Sequence, residues 1–325
     1  MPHVVEQTRG GLVETTHPIS AVLADPQRVL WASGPDLHTF WRSGSKPLQL
    51  LNSLEALPAV VVADLTPEDL AIGASSHSGQ ERHTQRVATL LDRFGLDPAD
   101  LQCGAHWPMH EPSSRALAAA GQSCTTLHSN CSGKHSYMLA ACAAQGWDPD
   151  YRAIMHPLQQ GNLARLTTWM ECVPAHAIDG CSVPTFYAPL SAMARTFARL
   201  AAEMANSPLG LAGRIGWAMH HHPELTSGDD RLDLAVVRSA NRRLTVKIGA
   251  EGLFCIALPD ASLGLVIKVH TGNADALATA VHGVIETHFP GTLPESWDWN
   301  TVKNVAGQVV GARRLAQPPA ASLSM

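Results

Sequence analysis

Strand-type alternation at both ends of the chain, with helical periodicity between them, restricts the fold more than any other feature. The segments 11-GLVETTH-17, 19-ISAVLAD-25 and 28-RVLWASG-34 alternate and are separated by turn formers, with Asp25-Pro26 predicting a hairpin turn. The segments 243-RLTVKIGAEG-252, 253-LFCIALP-259 and 263-LGLVIKVH-270 are β-branched and joined by Gly, Pro and Asp. Between them, Thr66-Pro67-Glu68-Asp69 offers a cap, a proline at the first helical position and acids in the first turn. Val87, Leu90, Leu91 and Phe94 share one helical face, and Gly95 predicts its stop. Further helices are expected near 113–120, 133–145, 156–171, 189–205, 208–221, 230–241 and 274–288. The expected class is therefore α+β. Strands from about 1–60 and 243–270 form one mostly antiparallel sheet, and 61–242 supplies helices around it. The chain reads as a single domain over 1–316 with a loose tail at 317–325.

Composition narrows the partners. Lys+Arg 23 against Asp+Glu 28 gives a formal net charge of −5, and no basic run interleaves with aromatics, so nucleic acid is not an expected partner. Apolar runs fall short of a membrane span, and the N-terminal MPHVVEQTRGGLVE lacks a signal-peptide core. The seven cysteines (Cys103, Cys124, Cys131, Cys142, Cys172, Cys181, Cys255) are odd in number and scattered, as reduced thiols would be. A soluble, cytoplasmic protein is expected.

Four stretches carry reactive side chains. In 42-RSGSKP-47, a helix start would stack Ser43 and Lys46 on one face. A serine hydroxyl needs a base, and a lysine becomes one only where burial or a neighbouring cation lowers its pKa. The stretch 75-SSHSGQ-80 reads as a polar elbow, or simply as a serine-rich loop. Lys268 alternates onto the face of Val266 and His270, either snorkelling from an edge strand or facing the serines. The order Ser-x-x-Lys, second serine, late-strand lysine is similar to active-site serine enzymes of the β-lactamase type, although Lys268-Val269-His270-Thr271-Gly272 stands where K-T-G is usual.

In 129-SNCSGKHSY-137 and 179-DGCSVPTF-186, Cys131 and Cys181 with one nitrogen would make a three-ligand zinc set. Chemistry alone favours His135 over Lys134 for that nitrogen, because a ligating lysine must be neutral; two buried thiols beside a helix start are the alternative. Asp179 suits the ammonium of an amino-acid substrate, or an ordinary Asp-Gly turn.

Taken together, 42-RSGSKP-47, 76-SHSGQERH-83, 129-SNCSGKH-135, 179-DGCSVPTF-186, 222-HPEL-225 and 247-KIGAEG-252 resemble the asparaginase II family of the rhizobial type, over about residues 10–310. The resemblance implies a serine β-lactamase/glutaminase-like fold, a homodimer, and hydrolysis of L-asparagine to L-aspartate and ammonia. It implies two Ser–Lys pairs, Ser43 with Lys46 and Ser76 with Lys268. It further implies Zn2+ on Cys131, Lys134 and Cys181, with Asp179, His135 and Arg42 contacting the substrate. Ser43 is the expected nucleophile, with Ser76 as the variant. The alternatives are a zinc-hydroxide amidohydrolase and a glutaminase-like amidase acting on a related small amide. Ser136-Tyr137, Gln80 and Ser182 depart from the family pattern.

Overall fold

The structure is a computed structural model and describes residues 3–316. In chain order its strands are β1 (Val4–Arg9), β2 (Leu12–Ala24), β3 (Val29–Ser33), β4 (His38–Phe40), β5 (Ala175–Ile178) and β6 (Pro184–Pro189). They continue with β7 (Thr245–Gly249), β8 (Leu253–Leu258), β9 (Leu263–Val269), β10 (Thr301–Lys303) and β11 (Val309–Ala316). The main sheet has eight strands in the order β10-β11-β1-β2-β9-β8-β7, with β3 also on β2, and β4-β6-β5 form a small second sheet. The pairings are antiparallel, and β2–β9 joins the two chain ends with Ile19 opposite Val269 and Ala24 opposite Gly264. The α+β class and the sheet built from both ends are thus present. The expected tail at 317–325 lies outside the described residues.

The local expectations hold where their chemistry is strong. Asp25 Oδ1 accepts from the N–H groups of Gln27 and Arg28, both at 2.8 Å, and closes the β2–β3 turn. Thr66 and Asp69 form a reciprocal capping box at helix Pro67–Gly73. Helix Glu81–Phe94 buries Val87, Leu90 and Leu91 and stops at Gly95, whose φ is 67°. Two differences stand out. The runs 11–17 and 19–25 form one long strand, because Pro18 lies within β2 without breaking it. The polar strands β1, β10 and β11 add an edge that alternation did not reveal.

Both faces of the central strands are buried. Val22, Leu253, Cys255 and Val266 pack with the helix-rich half of the chain, including Leu190–Asn206. Ile19, Ala21, Leu265 and Ile267 pack against Leu277, Val281 and Ile285 of helix Ala274–His288. Near-continuous apolar runs are what a doubly covered strand requires. Lysines on the first face of the sheet therefore point into the interior, and this decides where the candidate site lies. Among the described residues, no helix is long and apolar enough to cross a membrane.

Candidate functional site

Four segments meet, and the first of them packs on β7 at the edge of the sheet. Arg42–Ser45 forms a single 3-10 turn that runs directly into helix Lys46–Glu55, so Pro47 falls in the first turn, where it costs no hydrogen bond. Lys46 is buried, and its Nζ reaches the carbonyl of Ser75 at 2.7 Å, the carbonyl of Asn130 at 3.2 Å and Ser76 Oγ at 2.8 Å. A lysine amine carries three donors, and the two carbonyls and Ser76 Oγ take all three. Lys46 thus ties together 42–47, 75–80 and 129–135. The Ser43–Lys46 spacing is as read, but the serine in contact with Lys46 is Ser76.

Two close backbone approaches hold this junction. Ser76 and Ser78 donate their N–H groups to the carbonyls of Thr226 and Ser227 at 2.9 and 2.8 Å. Gly133, in the first turn of helix Ser132–Gln145, sits so close to helix Pro67–Gly73 that a Cβ would come within 2.1 Å of the Ile72 carbonyl. His77 is fully buried. Its Nδ1 accepts from Gly79 N at 3.1 Å, which leaves the proton on Nε2 for Ser132 Oγ at 2.8 Å. It stacks on His83 at 4.9 Å between centroids. Burial first, then the neighbouring charge of His83, holds His77 well below its ordinary pKa, and burial holds His83 down at about 4.

Ser43 lies nearer the surface, half-buried, beside an ion pair between Arg42 Nε and Asp179 Oδ1. Arg42 has φ 50°, a left-handed conformation that is uncommon for a residue with a side chain and concentrates at functional turns. Asp179 shapes its own loop, accepting Gly180 N at 2.8 Å, and that loop carries Cys181.

The second lysine differs from the one expected. Lys268 does sit on the inner face, but on a central strand rather than an edge. Its Nζ donates to the carbonyls of Glu251 and Val269, each at 2.6 Å, and no bond to Ser76 is present. The expected Ser76–Lys268 pair is therefore replaced by Lys46–Ser76, because the turn at 251–252 captures the Lys268 amine. Lys247 of β7, opposite Cys255 in the register, is fully buried beneath the 42–45 turn, and its amine donates to the Ile248 carbonyl at 3.1 Å. Burial first, then the charge of Lys46, lowers it to about 7. The sequence held the signal in 247-KIGAEG-252, a lysine inside an apolar edge strand, but alternation alone did not choose between Lys247 and Lys268.

Cys131, Lys134 and Cys181 converge, all buried. Lys134 Nζ donates to Cys181 Sγ at 3.3 Å. A hydrogen bond from Cys131 pulls the Cys181 thiol down to about 5 against the cost of burial, and the same bond with burial pushes Cys131 up to about 12. For Lys134, burial opposes the ammonium but is outweighed by Cys181, Cys131 and Asp179, so its pKa is raised. His135 points its Nδ1 at Tyr151 Oη, 2.9 Å away, and leaves Nε2 buried without a partner. Tyr151 Oη also accepts from Gln102 N at 3.1 Å, which ties the His135 ring to the 102 backbone. The unpartnered Nε2 of His135 is thus available to a polar atom of a bound molecule. Among the described residues no three of His, Cys, Asp and Glu gather as a ligand set. The donor set is two thiols and a lysine, and the soft sulfurs with a readily ionised Cys181 fit a zinc ion once Lys134 gives up its proton. None of the seven cysteines is in a disulfide.

Buried serines and lysines gathered beside acid and thiol groups have the makings of a hydrolase site. The family model described as L-asparaginase II matches residues 5–315, and the chain belongs to that family. Membership makes it an amidohydrolase of the asparaginase type with a small-molecule substrate. No match was found among curated proteins. Among solved structures, the chain is similar to the native form of Mglu, with TM-score 0.40 and 15% identity over 86% of this chain and 66% of that one. It is also similar to a β-lactamase from Mycobacterium bovis, with TM-score 0.40 and 14% identity over 84% and 95%. Mglu in 4.3 M NaCl gives TM-score 0.38 and 16% identity over 83% and 61%.

Proposed function

We propose that the protein is an L-asparaginase that cleaves the side-chain amide of L-asparagine through a serine acyl-enzyme. The observation that carries this reading is the half-buried Ser43 on a turn that carries the Arg42–Asp179 ion pair, leads into the buried Lys46 and packs on β7, the strand of the buried Lys247. A free amino acid presents a carboxylate and an ammonium, and it can exchange with that ion pair: its carboxylate takes Arg42 and its ammonium takes Asp179. The side-chain amide is then directed inward. Ser43 lies at the entrance and attacks the amide carbon. Lys247, poised near neutrality, accepts the hydroxyl proton. Lys46 and Ser76 pass a proton to the departing ammonia, and water then releases aspartate. His135 supports binding through its unpartnered Nε2, which is free to hydrogen-bond the substrate.

Cys131, Lys134 and Cys181 would hold zinc, which when bound supplies positive charge that orients the substrate. A homodimer is the assembly that the resemblance implies.

The test is ammonia release by the purified protein from L-asparagine and L-glutamine, combined with mass spectrometry of rapidly quenched reactions. A covalent aspartyl adduct on Ser43, absent in Ser43→Ala, is the expected result. An adduct that persists in Ser43→Ala moves the nucleophile to Ser76. Activity largely retained in both serine variants, without an adduct, favours the zinc-hydroxide alternative.

A further inference from the structure

Among the described residues, Asp69 and Asp233 are the buried carboxylates. Asp69 is fully partnered: it closes the capping box with Thr66, and Arg86 and Arg93 bond its two oxygens. Its role is architectural. Asp233, in the first turn of helix Leu232–Ser239, is not satisfied in this way. Its Oδ1 accepts from Ser227 Oγ, with Arg231 Nε 4.0 Å away, while Oδ2 is buried with no hydrogen-bond partner. A carboxylate held out of water with one free oxygen is costly and calls for a compensating use.

Two neighbours supply that use. The residue bonded to Asp233 is Ser227, whose carbonyl accepts from Ser78 N, while the adjacent Thr226 carbonyl accepts from Ser76 N. The 226–227 backbone is thus the rail on which the Ser76 segment hangs. Gly228 closes the contact from the next position, where a Cβ would come within 2.2 Å of Ser78 Oγ and φ is +142°. On its other side, helix Leu232–Ser239 packs on β7, which carries Lys247. The groups whose charge bears on Lys247 are Lys46, Asp233, Arg231 and Cys131, and of these Asp233 is the carboxylate.

We infer that Asp233 is a positioning residue of the amide-cleaving site: it fixes the Ser76 segment through Ser227, and its unpaired oxygen provides the counter-charge for Lys247. The inference rests on the amidase reading above. Asp233 touches neither substrate nor reacting atoms; it acts through Ser227 and Lys247.

The two arms separate experimentally. Asp233→Asn keeps the shape but removes the charge. Ser227→Ala keeps the charge but frees the Ser76 segment. With L-asparagine, both variants in the full chain are expected to lose tenfold or more in kcat with KM within about threefold of the wild type. The acidic limb of kcat/KM against pH is expected to move to lower pH in Asp233→Asn, because an ammonium at Lys247 loses the counter-charge of Asp233, and to stay in place in Ser227→Ala. A merely structural role would lower the melting temperature and leave that limb unmoved. Asp233→Asn with wild-type kcat and an unmoved limb overturns the inference while the amidase reading stands. Wild-type protein that releases no ammonia from either amide overturns both. Should Asp233→Asn fail to fold, Ser227→Ala decides: an unchanged kcat there overturns the positioning role, and a tenfold loss supports it.

Discussion

Lys46 Nζ lies 2.8 Å from Ser76 Oγ, across thirty residues of sequence, and not on the serine one turn before it. Every remaining hydrogen bond of that amine goes to a backbone carbonyl, so Lys46 serves at once as the strut of the junction and as the group that can exchange a proton with Ser76. Replacing it separates these roles. Lys46→Met is expected to lose at least ~10²-fold in kcat, in keeping with the loss of a positioned proton-transfer group. It also leaves the Ser75 and Asn130 carbonyls unpaired, a cost of about 1–3 kcal/mol for each buried group. Lys46→Arg should not rescue the rate, because a bulkier planar guanidinium does not reproduce the compact amine's three-way contact with Ser76 Oγ and the Ser75 and Asn130 carbonyls. Steady-state kinetics and urea unfolding of both variants measure the two effects.

The Ser-x-x-Lys spacing was legible because both residues lie within one turn at a helix start. The partner of Lys46 was not, since nothing in 42-RSGSKP-47 says which distant loop will fold onto it. The same limit explains the lysine on the sheet. Lys247 and Lys268 occupy the same face, and alternation assigns faces, not positions along the strand order. Only the pairing, with β7 at the edge under Arg42–Ser45 and β9 buried in the middle, distinguishes them. The capping box at Thr66 and the Asp25 turn were legible in full, because each is satisfied within four residues. The thiol cluster was legible as residue types, but the contact of His135 with Tyr151 was not, because no spacing in the 129–137 stretch could reveal it.

Lys247 sets a pH expectation for activity. Burial lowers it to about 7, so it is an ammonium below that pH and a free amine above it. As the proton acceptor it must be neutral, and kcat/KM for L-asparagine should rise with pH through roughly 7 and then level off. Lys247→Met should lose that limb along with at least ~10²-fold in rate. Lys268→Met serves as the contrast: its amine is bound to the carbonyls of Glu251 and Val269, so the variant should affect stability more than the limb. A limb that disappears in Lys268→Met instead would return the role to that residue.

The Arg42–Asp179 pair predicts a division between binding and turnover. If the amino-acid carboxylate and ammonium replace the two side chains as each other's partners, neutralising either one removes a charge-assisted contact worth about 1.5–3 kcal/mol. Asp179→Asn and Arg42→Gln should therefore each raise KM by roughly ten- to a hundredfold, with kcat less affected. An amide that lacks the α-amino group should lose its discrimination between wild type and Asp179→Asn. Kinetics with L-asparagine and with succinamic acid compare the two. A kcat collapse with unchanged KM would place Asp179 among the reacting groups.

Metal content tests the thiol cluster independently of activity. Cys131→Ser and Cys181→Ser are each expected to lower the zinc measured by elemental analysis from about one ion per chain toward none, since a neutral hydroxyl replaces a soft thiolate. His135→Asn should leave that content unchanged, because its Nδ1 is taken by Tyr151 and the proposed donor set is Cys131, Lys134 and Cys181. Zinc lost in His135→Asn and kept in Lys134→Met would exchange the roles of these neighbours.

The stacked His77 and His83 make the serine segment acid-sensitive. Each accepts a backbone N–H at Nδ1, from Gly79 and Gln80, and those bonds exist only while the rings are neutral. For a histidine whose folded pKa is depressed, the unfolded chain binds the proton first. Its contribution to stability is therefore complete above the unfolded value near 6.5 and is lost as pH falls toward the folded value, about 4 for His83. The difference is on the order of 3 kcal/mol for His83 alone, and His77, held well below its ordinary pKa, adds to it. Urea midpoints should fall steadily between pH 6.5 and 4. His83→Gln keeps a side-chain acceptor that does not titrate, so it should flatten this decline while lowering stability at neutral pH. A decline equally steep in His83→Gln and His77→Gln would move the acid sensitivity to other groups. The segment that opens first should be 75–80, detected as loss of amide exchange protection at Ser76 and Ser78 before the central strands, because those two N–H groups hang on the 226–227 backbone and on no sheet ladder.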